Sequence, residues 1–112
     1  MRKYFLLAVL VLCALPAFGD CLLTFQSEVV GGFFVGQPAN FQVLGVSGTE
    51  PYTFELNLTQ PGAQELPAGL TLHKNGKITG VPREEGVNLV YITLTDAAGC
   101  QLTQAFFVEV FP

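Results

Sequence analysis

Short apolar runs separated by turn-forming residues make up most of the chain after residue 21, and this alternation constrains the fold more than any other feature. No stretch repeats its apolar residues at the 3.6-residue period of an amphipathic helix. The runs are rich in Val, Phe, Thr, Ile and Tyr, which favour strands. The pattern predicts an all-β domain with strands at 22–26, 40–44, 52–58, 70–73, 77–79, 88–95 and 102–110. About seven short strands in about 90 residues are typical of a small β-sandwich.

Gly, Pro and Asn pairs between the runs predict where the chain turns. Gly31–Gly32 has the composition of a turn. Asn75–Gly76 lies between two short runs, and Asn-Gly accepts positive φ at both central positions of a type I′ hairpin, so we expect that hairpin here. Asp96 to Gly99 joins the two longest runs, and a polar start with a late Gly is typical of a four-residue hairpin loop.

Residues 1–19 have the parts of a signal peptide in order. Arg2 and Lys3 precede the apolar run 5–15, and small residues near Gly19 predict cleavage between Gly19 and Asp20. The rival interpretation is an uncleaved anchor, but the apolar run is about 11 residues where about 20 are needed to cross a bilayer. We therefore expect an exported domain at 20–112, with no transmembrane anchor after cleavage.

Cleavage would leave two of the three cysteines, Cys21 and Cys100, in a chain bound for an oxidising compartment. A single Cys21–Cys100 disulfide follows, and it would tie the N-terminus of the domain to the last hairpin. Two cysteines with one histidine, His73, are too few for a structural zinc site. Closing a loop of about 79 residues would contribute about 4 kcal/mol to stability in the chain-entropy model.

The period-2 alternation of the last two strands assigns their faces, because side chains two apart share one side of a sheet. We expect six apolar residues to point into the core: Val90, Ile92, Leu94, Phe106, Val108 and Val110. That leaves Leu89, Tyr91 and Phe107 facing outward, as a candidate interaction face. The alternatives are that a loop or the N-terminal strand covers this face, or that the register is shifted by one residue.

Several sequence patterns resemble one family. Residues 66–72 read L-P-A-G-L-T-L, residues 75–82 read N-G-K-I-T-G-V-P, and residues 95–100 read T-D-A-A-G-C after Gly86. These patterns, with 35–36 and 48–54 upstream, are similar to the immunoglobulin-like domain family of bacterial surface and secreted proteins, which is itself similar to dystroglycan-type cadherin-like domains. The resemblance implies an immunoglobulin-like, cadherin-like β-sandwich. Cys21 and Cys100 resemble a cysteine pair found in a subset of that family.

No set of residues predicts a catalytic, cofactor or metal site. Nucleophilic catalysis needs a Ser, Cys or Thr beside a base, and His73, the only histidine, lies next to a hairpin turn that should be exposed. Glu84 and Glu85 are neighbours in a turn, so both carboxylates should stay solvated, whereas acid–base catalysis needs a carboxyl with a raised pKa. Calcium needs six to eight oxygen ligands, and Asp96 is alone in its loop, so we interpret it as a turn former.

The charge balance limits the partners. Without residues 1–19, three basic residues remain against nine acidic ones, a net charge of −6. This acidity disfavours nucleic acid and would steer the domain towards a basic partner.

The resemblance implies a non-enzymatic binding or adhesion module in the periplasm, at the cell surface or outside the cell. Its partner would be a protein reached through the face of Leu89, Tyr91 and Phe107, through a free edge strand or through loops, and a carbohydrate partner is the other class that the sequence allows. The alternative function is a small secreted inhibitor that blocks a hydrolase with an exposed loop such as 59–65.

Overall fold

The computed structural model describes residues 21–26 and 30–112, and every regular element within those ranges is a β-strand. The nine strands of this described part are, in chain order, β1 Thr24–Phe25, β2 Val30–Phe34, β3 Ala39–Gln42, β4 Gly45–Val46, β5 Thr53–Leu56, β6 Leu70–Leu72, β7 Lys77–Gly80, β8 Gly86–Thr95 and β9 Gln101–Phe111. The predicted signal peptide, 1–19, lies outside the described residues. No helix in residues 21–26 and 30–112 is long and apolar enough to cross a membrane.

Two sheets face each other across the core. The larger sheet has the order β2-β9-β8-β5, the smaller has the order β3-β7-β6, and β1 pairs separately with β4. All pairs are antiparallel except β2 with β9, which is parallel. The described residues thus form nine strands in facing sheets, where the sequence predicted about seven. The prediction of an all-β sandwich is therefore confirmed.

The β8–β9 hairpin supplies one wall of the core. Its pairing runs without a break from Gly86 opposite Val110 to Thr95 opposite Gln101. The six side chains that were expected to point inward are each no more than 2% exposed: Val90, Ile92, Leu94, Phe106, Val108 and Val110. The face assignment, and with it the register, is confirmed because alternate residues leave the pleat on opposite sides.

The smaller sheet and the N-terminal segment close the core from the other side. Ile78 of β7 and Val43, which follows β3, are almost fully buried. Phe25 of β1 packs edge to face on Phe106 of β9, with the ring centroids 5.0 Å apart. Edge-to-face geometry is favourable because the positive edge of one ring meets the negative face of the other. Phe25 thus links the N-terminal segment to the centre of the larger sheet.

The prediction of a turn at Gly31–Gly32 was wrong, because both glycines lie within β2. The pairing of β2 with β9 is irregular between Val30 and Phe33, and the ring of Phe111 lies over Gly32. A Cβ atom on Gly32 would lie 2.9 Å from Phe111 Cε2. The two glycines therefore serve a bulge and a close side-chain approach instead of a chain reversal.

Both predicted hairpin turns exist, but their loops are built differently from expectation. In the β6–β7 hairpin, His73 N donates to Lys77 O and Gly76 N donates to His73 O. The β8–β9 turn repeats this arrangement, with Asp96 N bonded to Cys100 O and Gly99 N bonded to Asp96 O. Only the glycine has a positive φ in each loop, 91° at Gly76 and 93° at Gly99. Each hairpin is therefore a three-residue loop ending on a left-handed glycine, which corrects the expected type I′ and four-residue turns.

Gly69 and Gly80 make the closest backbone approach in the smaller sheet. Gly69 has φ of 99° and Gly80 has φ of 127°. A Cβ atom built on Gly80 would lie 2.0 Å from the carbonyl oxygen of Gly69, and one on Gly69 would lie 2.0 Å from the carbonyl oxygen of Val81. Neither position has room for a side chain, since the obstructing atoms belong to the backbone. The glycines of the L-P-x-G-L and G-x-I-x-G-x-P patterns are therefore a steric pair.

A disulfide joins Cys21 to Cys100, as the cysteine parity predicted. The two Cα atoms are 5.9 Å apart, and the bond spans a sequence separation of 79 residues. It fastens the start of the described chain to the residue that follows the β8–β9 turn. The bond therefore closes nearly the whole domain into one covalent loop.

Replacing Gly80 with Ala is expected to lower the free energy of unfolding by about 3 kcal/mol, because the new methyl group would combine backbone strain with a clash on the carbonyl of Gly69. Gly99→Ala is the matched control, since its φ is also positive but nothing lies within 4 Å of the added Cβ. In Gly99→Ala the free energy of unfolding should fall by only about 1 to 2 kcal/mol, which is the cost of left-handed backbone strain without a clash. Urea unfolding measures both, and equal losses would contradict the steric pairing of the glycines.

Removing the disulfide by the double change Cys21→Ser/Cys100→Ser should lower the free energy of unfolding by about 4 kcal/mol, because the unfolded chain regains the entropy of a 79-residue loop. Urea unfolding of the variant and of the oxidised parent measures the difference. Reduced parent protein is the control and should match the variant. A loss below about 1 kcal/mol would show that the bond restricts the unfolded chain far less than its loop length implies.

Candidate functional site

The polar groups considered for catalysis are spread over the surface. His73 is exposed at the β6–β7 hairpin, where its Nε2 lies 2.8 Å from the hydroxyl oxygen of Thr79. Glu84 and Glu85 are exposed in the turn before β8. Among the described residues, 21–26 and 30–112, no three His, Cys, Asp or Glu side chains are placed to hold a metal ion. The positions of these polar side chains therefore do not indicate a catalytic centre.

Asp96 is a buried carboxylate that joins two loops. Its Oδ2 accepts a hydrogen bond from Thr49 N at 3.0 Å, and its Oδ1 accepts from Ala98 N at 3.0 Å and from Cys100 N at 2.8 Å. These donors, Thr49 foremost, hold the pKa of the Asp96 carboxyl below its ordinary value of 3.8 even though burial acts in the opposite direction. Asp96 is a turn former, as the sequence predicted, and it also fastens the loop at 47–50 to the end of the β8–β9 hairpin.

The outward side of the larger sheet carries the predicted interaction residues. Leu89 pairs directly with Phe107, and Tyr91 pairs with Ala105. Phe107 is 67% exposed, which is unusually open for a phenylalanine on a central strand. Leu89 and Tyr91 are half-buried. We call the outward side of β2, β8 and β9 the outer face, and its most accessible member is Phe107.

A segment that follows β5 covers part of this side. Asn57 N and Gln64 N donate to the carbonyl oxygens of Tyr91 and Leu89, at 2.9 and 2.8 Å, and the side-chain oxygen of Gln64 accepts from Leu89 N at 2.7 Å. Residues 57–65 therefore continue the edge of β8 where β5 ends. Over the face itself, the Tyr91 hydroxyl lies 3.5 Å from Pro61 O, and a Cβ atom on Gly62 would lie 3.8 Å from Leu89 Cδ2. A loop therefore covers Leu89 and Tyr91, which was one of the alternatives, while Phe107 stays exposed.

Three further apolar residues extend the outer face beyond the predicted set. Val87 of β8 is 54% exposed and Phe34 of β2 is 52% exposed, and Phe111 of β9 is also exposed. The rings of Phe34 and Phe111 lie with their centroids 5.4 Å apart. Val87 and Phe111 share the period-2 parity of Leu89 and Phe107, so the alternation could have identified them. Phe34 could not be found that way, since the sequence pattern predicted a turn at Gly31–Gly32 and no strand over 30–34.

The charged side chains at outward positions of the larger sheet are all acidic. They are Glu55 on β5 and Glu109 on β9, and the outward positions of β2, β5, β8 and β9 contain no Lys or Arg. Glu109 stands opposite Val87 and lies between Phe107 and Phe111 along its strand. The outer face therefore combines exposed apolar groups with negative charge.

A small open cavity lies at the seam between the two sheets, where β2 and β3 are edge strands. Its volume is about 190 Å³, and three aromatic side chains and two amides are among the residues that line it: Phe33, Phe34, Phe41, Gln37 and Asn40. Ligand pockets usually measure about 300 to 1,000 Å³. The cavity is therefore a lesser candidate than the outer face, to which Phe34 connects it.

Comparison with known proteins supports the fold and reaches most of the chain. The sequence profile of the family described as "Putative Ig domain" matches residues 26–111. No curated protein matches the sequence.

Among solved structures, the chain is similar to a putative alpha-galactosidase and to a putative alpha-galactosidase/melibiase, both from Bacteroides fragilis NCTC 9343. They share 22% and 27% sequence identity with it, each at a TM-score of 0.63 over 79% of this chain. This chain spans only 17% of the length of each of those proteins. It is also similar to extracellular cadherin domains 3–6 of protocadherin gamma B2, at 15% identity and a TM-score of 0.59, over 80% of this chain and 22% of that one.

Replacing Asp96 with Asn is expected to destabilise the protein at neutral pH and to lose its effect in acid. Because folding lowers the pKa of this carboxyl from 3.8, its contribution to stability is complete above that value and disappears as the pH falls through the folded-state pKa. Urea unfolding of parent and variant between about pH 7 and about pH 2 measures the difference between their free energies of unfolding.

Glu84→Gln is the control for the Asp96 experiment, because it removes an exposed carboxylate from a turn. Its stability should follow that of the parent at every pH. A gap between parent and Asp96→Asn that does not change with pH would mean that the charge of Asp96 has no part in holding the loops.

Proposed function

Because the chain belongs to the family described as "Putative Ig domain", we propose that it is a non-enzymatic binding module that holds a protein partner on its outer face. The observation that carries the proposal is the exposure of Phe107, at 67%, in the middle of a sheet face that also exposes Val87, Phe34 and Phe111. A contiguous apolar patch on a small domain marks an interaction surface more often than isolated exposed residues do. Aromatic side chains are also enriched among the residues that dominate binding energy.

The arrangement of the described side chains favours binding over catalysis. The described residues assemble no cluster of metal ligands, and Asp96 is fully engaged in structural hydrogen bonds. The galactosidase names belong to Bacteroides fragilis chains of which this chain spans 17%, so those names describe much larger proteins. Fold alone does not assign an activity, and the argument for binding therefore rests on the outer face.

The disulfide favours an exported location. Disulfides persist in secreted and cell-surface proteins and are rare in reducing compartments. The signal peptide expected at 1–19 agrees with this, and we propose the periplasm, the cell surface or the extracellular space as the place where the module acts. Cell adhesion is one role that a surface-exposed module of this kind would serve.

The alternative of a hydrolase inhibitor is less well supported. Its expected loop, 59–65, is held along β8 by the bonds between Gln64 and Leu89, and Asn88 Nδ2 donates to Glu65 O at 2.9 Å. A segment fastened at this many points is poorly placed to enter a separate active site. A carbohydrate partner stays an outcome of the test, since exposed rings such as Phe107 can stack on sugars.

Replacing Phe107 with Ser is expected to abolish capture of the partner from the exported proteome, because it removes the most exposed ring of the outer face. The purified oxidised chain and the variant are compared as baits, and mass spectrometry identifies what each retains. Leu44→Ser is the matched control, since Leu44 is 45% exposed and follows β3 in the smaller sheet. This control should capture as the parent does.

The two variants also test the rival outcomes. A partner retained equally by parent and Phe107→Ser would remove the outer face as the binding site. A retained glycan that is lost in Phe107→Ser would replace the protein partner with a carbohydrate. Urea unfolding of both variants shows whether a loss of capture reflects loss of folding.

A further inference from the structure

Glu109 is an exposed carboxylate on the outer face. Along β9 its neighbours on the same side are Phe107 and Phe111, and across the sheet it faces Val87. On its other flank β2 is irregular between Val30 and Phe33, where the chain has two glycines and therefore no side chains. On that flank the ring of Phe111 lies over Gly32, so apolar groups surround the carboxylate within the sheet surface, while Glu109 itself is exposed to solvent above it.

No cation of the described chain neutralises this carboxylate. The structure records no ion pair or hydrogen bond to the Glu109 side chain within residues 21–26 and 30–112. Lys74 and Lys77 belong to the β6–β7 hairpin, and Arg83 lines a cavity with Val35, Glu85 and Pro112, next to Phe111. The negative charge at the centre of the outer face is therefore available to an incoming group.

The chemistry around Glu109 matches one type of side chain in particular. A guanidinium group can pair with a carboxylate through two parallel N–H donors, and its flat faces stack on aromatic rings. Phe107 and Phe111 stand on either side of Glu109 and offer such rings. A lysine ammonium would be attracted by the negative charge but could not pair with the carboxylate through two parallel donors or stack on the rings. An acidic surface would be repelled.

We propose that the occupant of the outer face is a protein surface that presents an arginine, which pairs with Glu109 between the rings of Phe107 and Phe111. This inference rests on the proposed function and specifies the chemistry of its partner. Glu109 is exposed, so the arginine can approach it from the solvent side of the sheet. The net negative charge of the domain would add long-range attraction for such a partner.

The test is a nuclear magnetic resonance titration of the purified, oxidised, ¹⁵N-labelled chain with the peptide acetyl-Val-Arg-Val-amide. A peptide with citrulline in place of arginine is the probe control, because citrulline keeps the shape and loses the charge. We expect the arginine peptide to shift the backbone amides of Val87 and of 107–111, with an affinity of about 1 mM, and the citrulline peptide to bind about five-fold more weakly.

Two variants separate the local site from the overall charge. Glu109→Gln should weaken binding of the arginine peptide about five-fold, whereas Glu84→Gln, which removes an exposed carboxylate from a turn, should leave it unchanged. Equal weakening by both variants would overturn the inference in favour of diffuse attraction to an acidic protein. Equal affinity for the arginine and citrulline peptides, shifts confined to other strands, or no shift up to about 10 mM peptide would overturn it as well.

The outcome can be told apart from a failure of the proposed function. If a protein is captured in a manner that needs Phe107 but is unaffected by Glu109→Gln, the binding module stands and the arginine inference fails. If Glu109→Gln weakens that capture and raised salt weakens it further, the inference is supported in the natural complex. Capture that does not depend on Phe107 removes the face and the inference together.

Discussion

The β8–β9 hairpin is the constraint on which the rest of this domain depends. Its pairing is unbroken over ten residue pairs, and the pleat sends alternate side chains to opposite sides. The residues that build one wall of the core, such as Val90 and Phe106, thereby force Leu89 and Phe107 to the outside. A slip of one residue would exchange the two sets, so burial of the core also fixes which groups form the outer face. The pairing of β8 with β9 therefore fixes both the core and the candidate binding face.

The two ends of this hairpin serve different purposes. At the turn, Asp96 gathers backbone donors from two loops, and Cys100 carries the disulfide that ties down the N-terminal segment. At the opposite end, the parallel strand β2 has an irregular pairing and two glycines, and the rings of Phe34 and Phe111 lie open to solvent. The polar and covalent ties thus lie at the turn end of the hairpin, and the exposed rings of Phe34 and Phe111 lie at the other end. A binding face can remain exposed because the core does not depend on covering it.

The errors of the sequence interpretation have specific physical causes. Gly31–Gly32 has the composition of a turn, but an irregular stretch of strand pairing can also contain glycines, and the overlying ring of Phe111 leaves little room for a side chain at Gly32. Asn75–Gly76 does mark a hairpin, yet its loop has three residues and only Gly76 takes the left-handed conformation. Local composition shows that the chain lacks side chains or reverses at these points. It does not show which neighbouring segment or side chain packs against these positions.

The sequence by itself determined most of the strand positions, with β2 the main exception, and it also determined the inward set of the last hairpin and the disulfide. The strands and their faces follow from the two-residue alternation of apolar and polar side chains. The disulfide follows from the even number of cysteines expected in the exported chain. Only the tertiary structure decided that residues 57–65 cover Leu89 and Tyr91, and that β2 brings Phe34 beside Phe111. These contacts join segments far apart in the chain, and no local pattern records which distant segment will pack on an exposed strand. The accessible face consequently lies nearer to β9 and β2 than the alternation alone indicated.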